Sequence, residues 1–196
     1  MIPWLKNRIG LALVIVALAQ TGVLAGMVAD RVRLLKNGRE ITLPIVPVDP
    51  RDLFRGEYVR LGYDIGRVPA RLLVGPLPRP NTAFYVTLQR QPDNTWVPVK
   101  LSRTWSKENG PDRIVLKARA LSGGLRLYHD PNNPNATYFV RYGIESYFVP
   151  EGEGPKLEAL ARDKKLAARI AVSRSGNAAI KGLLVDGVLQ YEEPLF

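Results

Sequence analysis

Residues Ile9 to Ala29 read IGLALVIVALAQTGVLAGMVA, a run without charge in which Gln20 and Thr21 are the only strongly polar side chains. A helix rises 1.5 Å per residue, so a run of this length crosses a hydrocarbon core of roughly 30 Å. The chain therefore divides into a tail at 1–8, a single transmembrane anchor at 9–29 and a body at 30–196. A cleaved secretory signal also begins with basic residues, here Lys6 and Arg8, and Ala17 and Ala19 offer a small-residue cleavage site. The apolar part of such a signal spans roughly 7–15 residues, however, and this run continues past those alanines, which suits a retained anchor.

Charge counting does not orient the anchor, because Lys6 and Arg8 precede it while Arg31, Arg33, Lys36 and Arg39 follow it. A short tail and a long C-terminal body fit a signal anchor in the cytoplasmic (inner) membrane, with the body on the periplasmic or extracytoplasmic side. There is no cysteine, which removes disulfides, thiol nucleophiles, cysteine-bound metal and a lipoprotein's modified cysteine. The net charge of +10 is spread along the body without a block of like charges. With an anchor in place, the expected partners are membrane lipids and an integral membrane protein, and nucleic acid is not one of them.

The body reads as mainly β with at least one short helix, an α+β class. Tyr58 to Ile65, Thr82 to Arg90, Thr95 to Thr104, Arg113 to Leu121, Thr137 to Ile144 and Arg169 to Ser173 are strand-length runs rich in β-branched and aromatic residues. Most of the chain's sixteen prolines and seventeen glycines fall in the body and punctuate these runs, which disfavours long helices. In Glu40 to Val48, Pro44 and Pro47 demote an extended segment to an edge strand. Asp30 to Arg39 is expected as a helix end or a first short strand, closed by the turn signal Asn37-Gly38. Lys156 to Lys165 carries strong helix formers, with Leu157, Leu160 and Ala161 at helical spacing.

The body also resembles itself. At a constant offset of 81, Val48–Pro69 aligned with His129–Pro150 gives seven identities in 22 positions, among them Asp49-Pro50 on Asp130-Pro131 and Val68-Pro69 on Val149-Pro150. This predicts two duplicated β units, at about 40–108 and 121–190, packed around a pseudo-twofold axis.

In the first unit stands Gly56-Glu-Tyr-Val-Arg-Leu-Gly-Tyr63, preceded by DPRDLFR from Asp49. This string resembles the signature of the GDYXXLXY family of bacterial membrane-anchored proteins. Gly56, Tyr58, Leu61 and Tyr63 match it, and Glu57 stands where the signature has aspartate. The later run Tyr142 to Glu158 and the single span are also similar to that family. The family carries no established biochemical activity, so the resemblance implies an anchored architecture and no particular reaction. Alternation puts Glu57, Val59, Leu61 and Tyr63 on one face of a strand and Tyr58, Arg60 and Gly62 on the other. One reading makes this region structural. The other makes Asp49, Glu57, Tyr58, Arg60 and Tyr63 a binding surface.

The search for a reaction centre is short. GEYV and FVPEGEG echo strands of signal peptidases, but that chemistry needs a serine nucleophile near the first strand, and no serine precedes Ser102. His129 is the only histidine, too few for a zinc site built on several imidazoles. Glu151 and Glu153 could bind a hard cation or act as an acid–base pair, and they also suit the start of a helix. No catalytic residue, metal site or cofactor is therefore expected. Gly22 and Gly26 form a Gly-x-x-x-Gly face within the anchor, a packing surface for another membrane helix. The leading expectation is a non-enzymatic accessory or assembly subunit of a larger membrane partner. The alternative is an envelope enzyme or ligand or metal binder using Asp49, Glu57, Glu151 and Glu153.

Overall fold

Small and branched apolar residues without a proline or a charge leave a helix uninterrupted, and the computed structural model shows one helix, α1, from Pro3 to Asn37. The structure describes residues 3–47, 58–75, 82–106, 108, 110–120, 136–150 and 152–192, with side chains from residue 9 onward except at residue 58. From Ile9 to Val28 the large apolar side chains of α1 are exposed, for example Leu11 at 62 % and Leu18 at 67 %. A helix that is apolar all round and bare of protein contacts belongs in an apolar solvent. It is long and apolar enough for a single-pass membrane anchor.

The helix does not stop with the apolar run, nor does Asp30 to Arg39 open with a strand. It continues to Asn37, and Leu35 is buried in the body. The turn out of α1 is tight: Gly38 donates its N–H to the Leu34 carbonyl at 2.9 Å. A Cβ on Gly38 would lie 2.4 Å from that oxygen and 2.9 Å from Ala171 Cβ. Only glycine lets the helix end rest this closely on the sheet.

Alternating buried and exposed residues then build three sheets. The first is antiparallel, in the order β1 (Arg39–Pro44), β10 (Leu166–Val172), β11 (Ala178–Val185), β12 (Val188–Glu192). The second pairs β2 (Tyr58–Arg60) with β9 (Ser146–Phe148). The third runs β3 (Arg67–Pro69), β8 (Thr137–Arg141), β7 (Arg113–Ala120), β5 (Ala83–Arg90), β6 (Trp96–Ser102), β4 (Leu73–Val74). A helix, α2 (Gly154–Arg162), buries Leu157 and Ala161. All three sheets and α2 share one continuous apolar core. As expected from Pro44, β1 is an edge strand.

The pairings come in reciprocal couples. Tyr58, Val59 and Arg60 face Phe148, Tyr147 and Ser146, while Thr137, Tyr138 and Phe139 face Pro69, Val68 and Arg67. Strand β1 pairs with β10 as β7 pairs with β5, and the hairpins β5–β6 and β10–β11 match. Both hairpins carry a register shift at the same place, between Thr87 and Leu88 and between Arg169 and Ile170. Both close in the same turn: Gln91 N–H bonds the Thr95 carbonyl and Ser173 N–H the Asn177 carbonyl, each at 2.8 Å. Their third turn residues, Asn94 and Gly176, are both left-handed, with φ of 66° and 87°.

This reciprocity does not follow a constant offset of 81. Val59 answers to Tyr138 rather than to Val140, and Leu88 answers to Ile170. The second set of strands starts with β7 at Arg113, ahead of the expected 121. What repeats is strand pairing, and duplication of the sequence itself stays an expectation. The runs Tyr58 to Ile65 and Thr137 to Ile144 also pair over less than their length. The first leaves its strand for a 3-10 turn at Asp64–Gly66, and the second leaves at Tyr142. The helix read at Lys156 to Lys165 begins two residues earlier, at Gly154.

Candidate functional site

The signature strand enters the body at the seam between β2–β9 and β3–β8. Leu61 and Tyr63 are buried at 2 % and 7 %, and Tyr142 at 6 %. Tyr63 Oη donates to the Ile144 carbonyl at 3.0 Å, and Tyr142 Oη donates to the Ile65 carbonyl at 2.7 Å. Beside them the Glu145 carboxylate accepts the N–H groups of Tyr142 at 2.6 Å and Gly143 at 3.0 Å. Burial, and secondarily the charge of Glu145, push both phenols well above the ordinary tyrosine value. A cleft of about 370 Å³ opens on this seam, lined in part by Pro47, Tyr63, Arg67, Phe139 and Glu145.

The expected binding surface is thus divided. Tyr63 belongs to the core, because the strand's inward face and its hydroxyl's carbonyl partner both lie inside the body. Arg60 is exposed and borders a separate groove of about 210 Å³ with Pro47, Glu158 and Arg162. The main chain of Tyr58 pairs with Phe148. Asp49, Glu57, Glu151 and His129 lie outside the described residues, as does the side chain of Tyr58. Glu153 stands before α2, accepts the Tyr191 hydroxyl, and lies 3.3 Å from Lys156 Nζ. The hydrogen bond from Tyr191 and then that from Lys156 hold its carboxyl below the usual range. Among the described residues, no three His, Cys, Asp or Glu side chains gather as a metal site would require. Gly22 and Gly26 face open space on α1, with no atom within 4 Å of an added Cβ.

Sequence reasoning missed two features. Arg39 extends from β1 to the turn before β7, donating from Nη1 to the carbonyls of Gly110 and Arg113 and from Nη2 to that of Pro111. Its guanidinium also stacks 5.6 Å from the Trp96 ring centroid. The second feature is a basic cleft of about 510 Å³ lined by Lys117, Arg119 and Arg141 together with Glu145 and Asn177. Arg119 and Arg141 sit directly opposite each other on β7 and β8. Like charges in that arrangement repel, so this face favours an anion.

A family model described as GDYXXLXY protein matches residues 20–183. The chain belongs to the GDYXXLXY family. No curated protein and no solved structure matches it. The match begins inside α1 and ends in β11, so it takes in the helix–body junction and all but the last strand. In this GDYXXLXY protein the last two lettered positions of the signature, Leu61 and Tyr63, close the seam from inside. Both are part of the buried core, while Gly56, Glu57 and the side chain of Tyr58 lie outside the described residues.

Proposed function

We propose that this GDYXXLXY protein is a single-span accessory or assembly subunit of a larger membrane protein, its body carried outside the cytoplasmic membrane. The observation that supports this most is the junction between anchor and body. α1 runs unbroken from Pro3 to Asn37, Leu35 is sunk in the core, and Gly38 seats the helix end on β10. An anchor that only tethers needs no such rigid joint, whereas a subunit that must present its body at fixed height and rotation does. Gly22 and Gly26 leave a shallow stripe on α1 where a partner helix can approach closely. The body adds edge strand β1 and exposed aromatic surface at Phe148.

The test is purification of the full chain in mild detergent. A polytopic membrane protein should accompany it at fixed stoichiometry. Gly22→Leu with Gly26→Leu should remove that partner, while Leu24→Ala, on the opposite side of the helix, should keep it. A solitary chain, or a partner indifferent to the double change, sinks the proposal.

A further inference from the structure

The last turns of α1 do more than join the body. They form one wall of a cleft of about 400 Å³ whose other wall is the β10–β11 turn, with Asp30, Arg33 and Asn37 facing Ser173, Arg174 and Asn177. From this arrangement we propose that the cleft holds the phosphate of an acidic membrane phospholipid. The proposal rests on α1 crossing a bilayer, and it does not depend on any protein partner.

Depth is the first argument. A helix rising 1.5 Å per residue puts Arg33 ~6 Å beyond Ala29, the last residue of the apolar run. The headgroup layer on each side of a roughly 30 Å core is about 5–8 Å thick, so Arg33 lies within it. The β10–β11 turn is at the same level, because Arg174 lines a cleft that also includes Asp30. Strand β10 runs antiparallel to β1, with Val172 opposite Arg39 just past the end of α1, so the turn that follows β10 lies at the anchor end of the sheet.

Charge is the second argument. Among the described residues, no carboxylate pairs with the Arg33 or Arg174 guanidinium. A guanidinium offers a planar fork of donors that matches phosphate. Asp30 opposes an anion, which leaves two guanidiniums against one carboxylate, a balance suited to a singly charged phosphodiester and not to a polyphosphate. The turn is braced from within: Asn177 N–H bonds Ser173 Oγ at 3.0 Å, and Ser173 Oγ lies 2.9 Å from Ser175 Oγ. On its far side Asn177 also borders the basic cleft of Lys117, Arg119 and Arg141, so positive charge continues away from the membrane.

The test uses the full chain in phosphatidylcholine nanodiscs doped with phosphatidylglycerol, with native mass spectrometry counting the lipids that stay bound. One phosphatidylglycerol per chain should be retained in preference to phosphatidylcholine. Arg33→Gln with Arg174→Gln should reduce that preference by about tenfold, the loss expected for charge-assisted hydrogen bonds. Arg33→Lys with Arg174→Lys should keep part of it. Lys164→Gln with Lys165→Gln, at the other end of β10, should keep all of it. An unchanged preference in the Arg33/Arg174 double variant overturns the proposal, as does equal loss in the Lys164/Lys165 variant. Displacement of the lipid by millimolar inorganic phosphate reassigns the cleft to a soluble anion and also overturns it. A chain that fails to enter the nanodisc refutes the anchor instead, which keeps the two failures distinct.

Discussion

Tyr63 and Tyr142 cross the seam of the body in opposite directions, each giving its hydroxyl to a carbonyl beside the other: Tyr63 to Ile144 at 3.0 Å and Tyr142 to Ile65 at 2.7 Å. The two bonds lie between β2–β9 and β3–β8, whose residue pairs mirror each other across the same seam. Removing one hydroxyl leaves a buried carbonyl short of its donor, which costs about 1–3 kcal/mol. Tyr63→Phe and Tyr142→Phe should each lower the stability of the full chain in detergent by an amount in that range, read from urea unfolding. Because both bonds clamp one seam, the double variant should depart measurably from the sum of the singles. Strict additivity would show that the seam is not a unit.

The same tyrosines make the fold sensitive to alkali. Burial first, and the Glu145 charge second, raise both phenols above the usual value. In the unfolded chain each loses its proton near pH 10, whereas in the folded chain it keeps the proton to higher pH. The neutral form is thus favoured in the fold. Its stabilisation is complete below about pH 10 and is lost as pH rises above it, at up to ~1.4 kcal/mol per pH unit per tyrosine. Between pH 10 and 11.5 the wild-type chain should lose stability more steeply than Tyr63→Phe or Tyr142→Phe. Parallel slopes would place the alkaline loss in lysines instead.

Some of this was legible in the residues and some was not, for physical reasons. An uncharged apolar run as long as Ile9–Ala29 has few alternatives to a spanning helix, and alternation already put Val59, Leu61 and Tyr63 on one face of a strand, where all three are buried. Pro44 marked β1 as an edge. By contrast, β11 reads AAIKGLLV and is buried almost throughout, so it shows neither alternation nor aromatic content and went unread. Strand pairing was invisible to a constant offset because loops of unequal length separate the matched strands, which makes Tyr138, and not Val140, the counterpart of Val59. The cross-strand pair Arg119 and Arg141 exists only once β7 lies beside β8. Of the four carboxylates on which an enzymatic reading depends, Asp49, Glu57 and Glu151 lie outside the described residues, and Glu153 accepts the Tyr191 hydroxyl and pairs with Lys156.

Gly38 is where the proposed rigid joint can be broken with one methyl group. An added Cβ would meet the Leu34 carbonyl oxygen at 2.4 Å and Ala171 Cβ at 2.9 Å, and neither is the free end of a flexible chain. Gly38→Ala should therefore push the end of α1 off β10 and cost about 1–3 kcal/mol, as overpacking does. Brief trypsin treatment of the detergent-solubilised chain should cut the variant at Lys36 or Arg39 far faster than the wild type. Equal protection would mean that the junction relaxes without parting.

Arg39 joins the two larger sheets at the membrane-side end of β1. Its guanidinium donates to the carbonyls of Gly110 and Pro111 in the turn before β7 and of Arg113 at the start of β7, and stacks on Trp96 at the start of β6. Charge-assisted bonds to main-chain carbonyls, together with a cation–π contact, tie this side chain to the six-stranded sheet. Arg39→Ala should cost about 2–3 kcal/mol, because three carbonyls lose a donor at once and their shared origin prevents simple addition. Arg39→Lys should recover only a minor part, since an ammonium is a point donor that cannot reach along the turn as the guanidinium fork does. Thermal unfolding of the two variants in detergent separates the outcomes. A lysine variant as stable as the wild type would mean that only the charge matters, and the sheets would then be held together by their shared apolar core rather than by this fork.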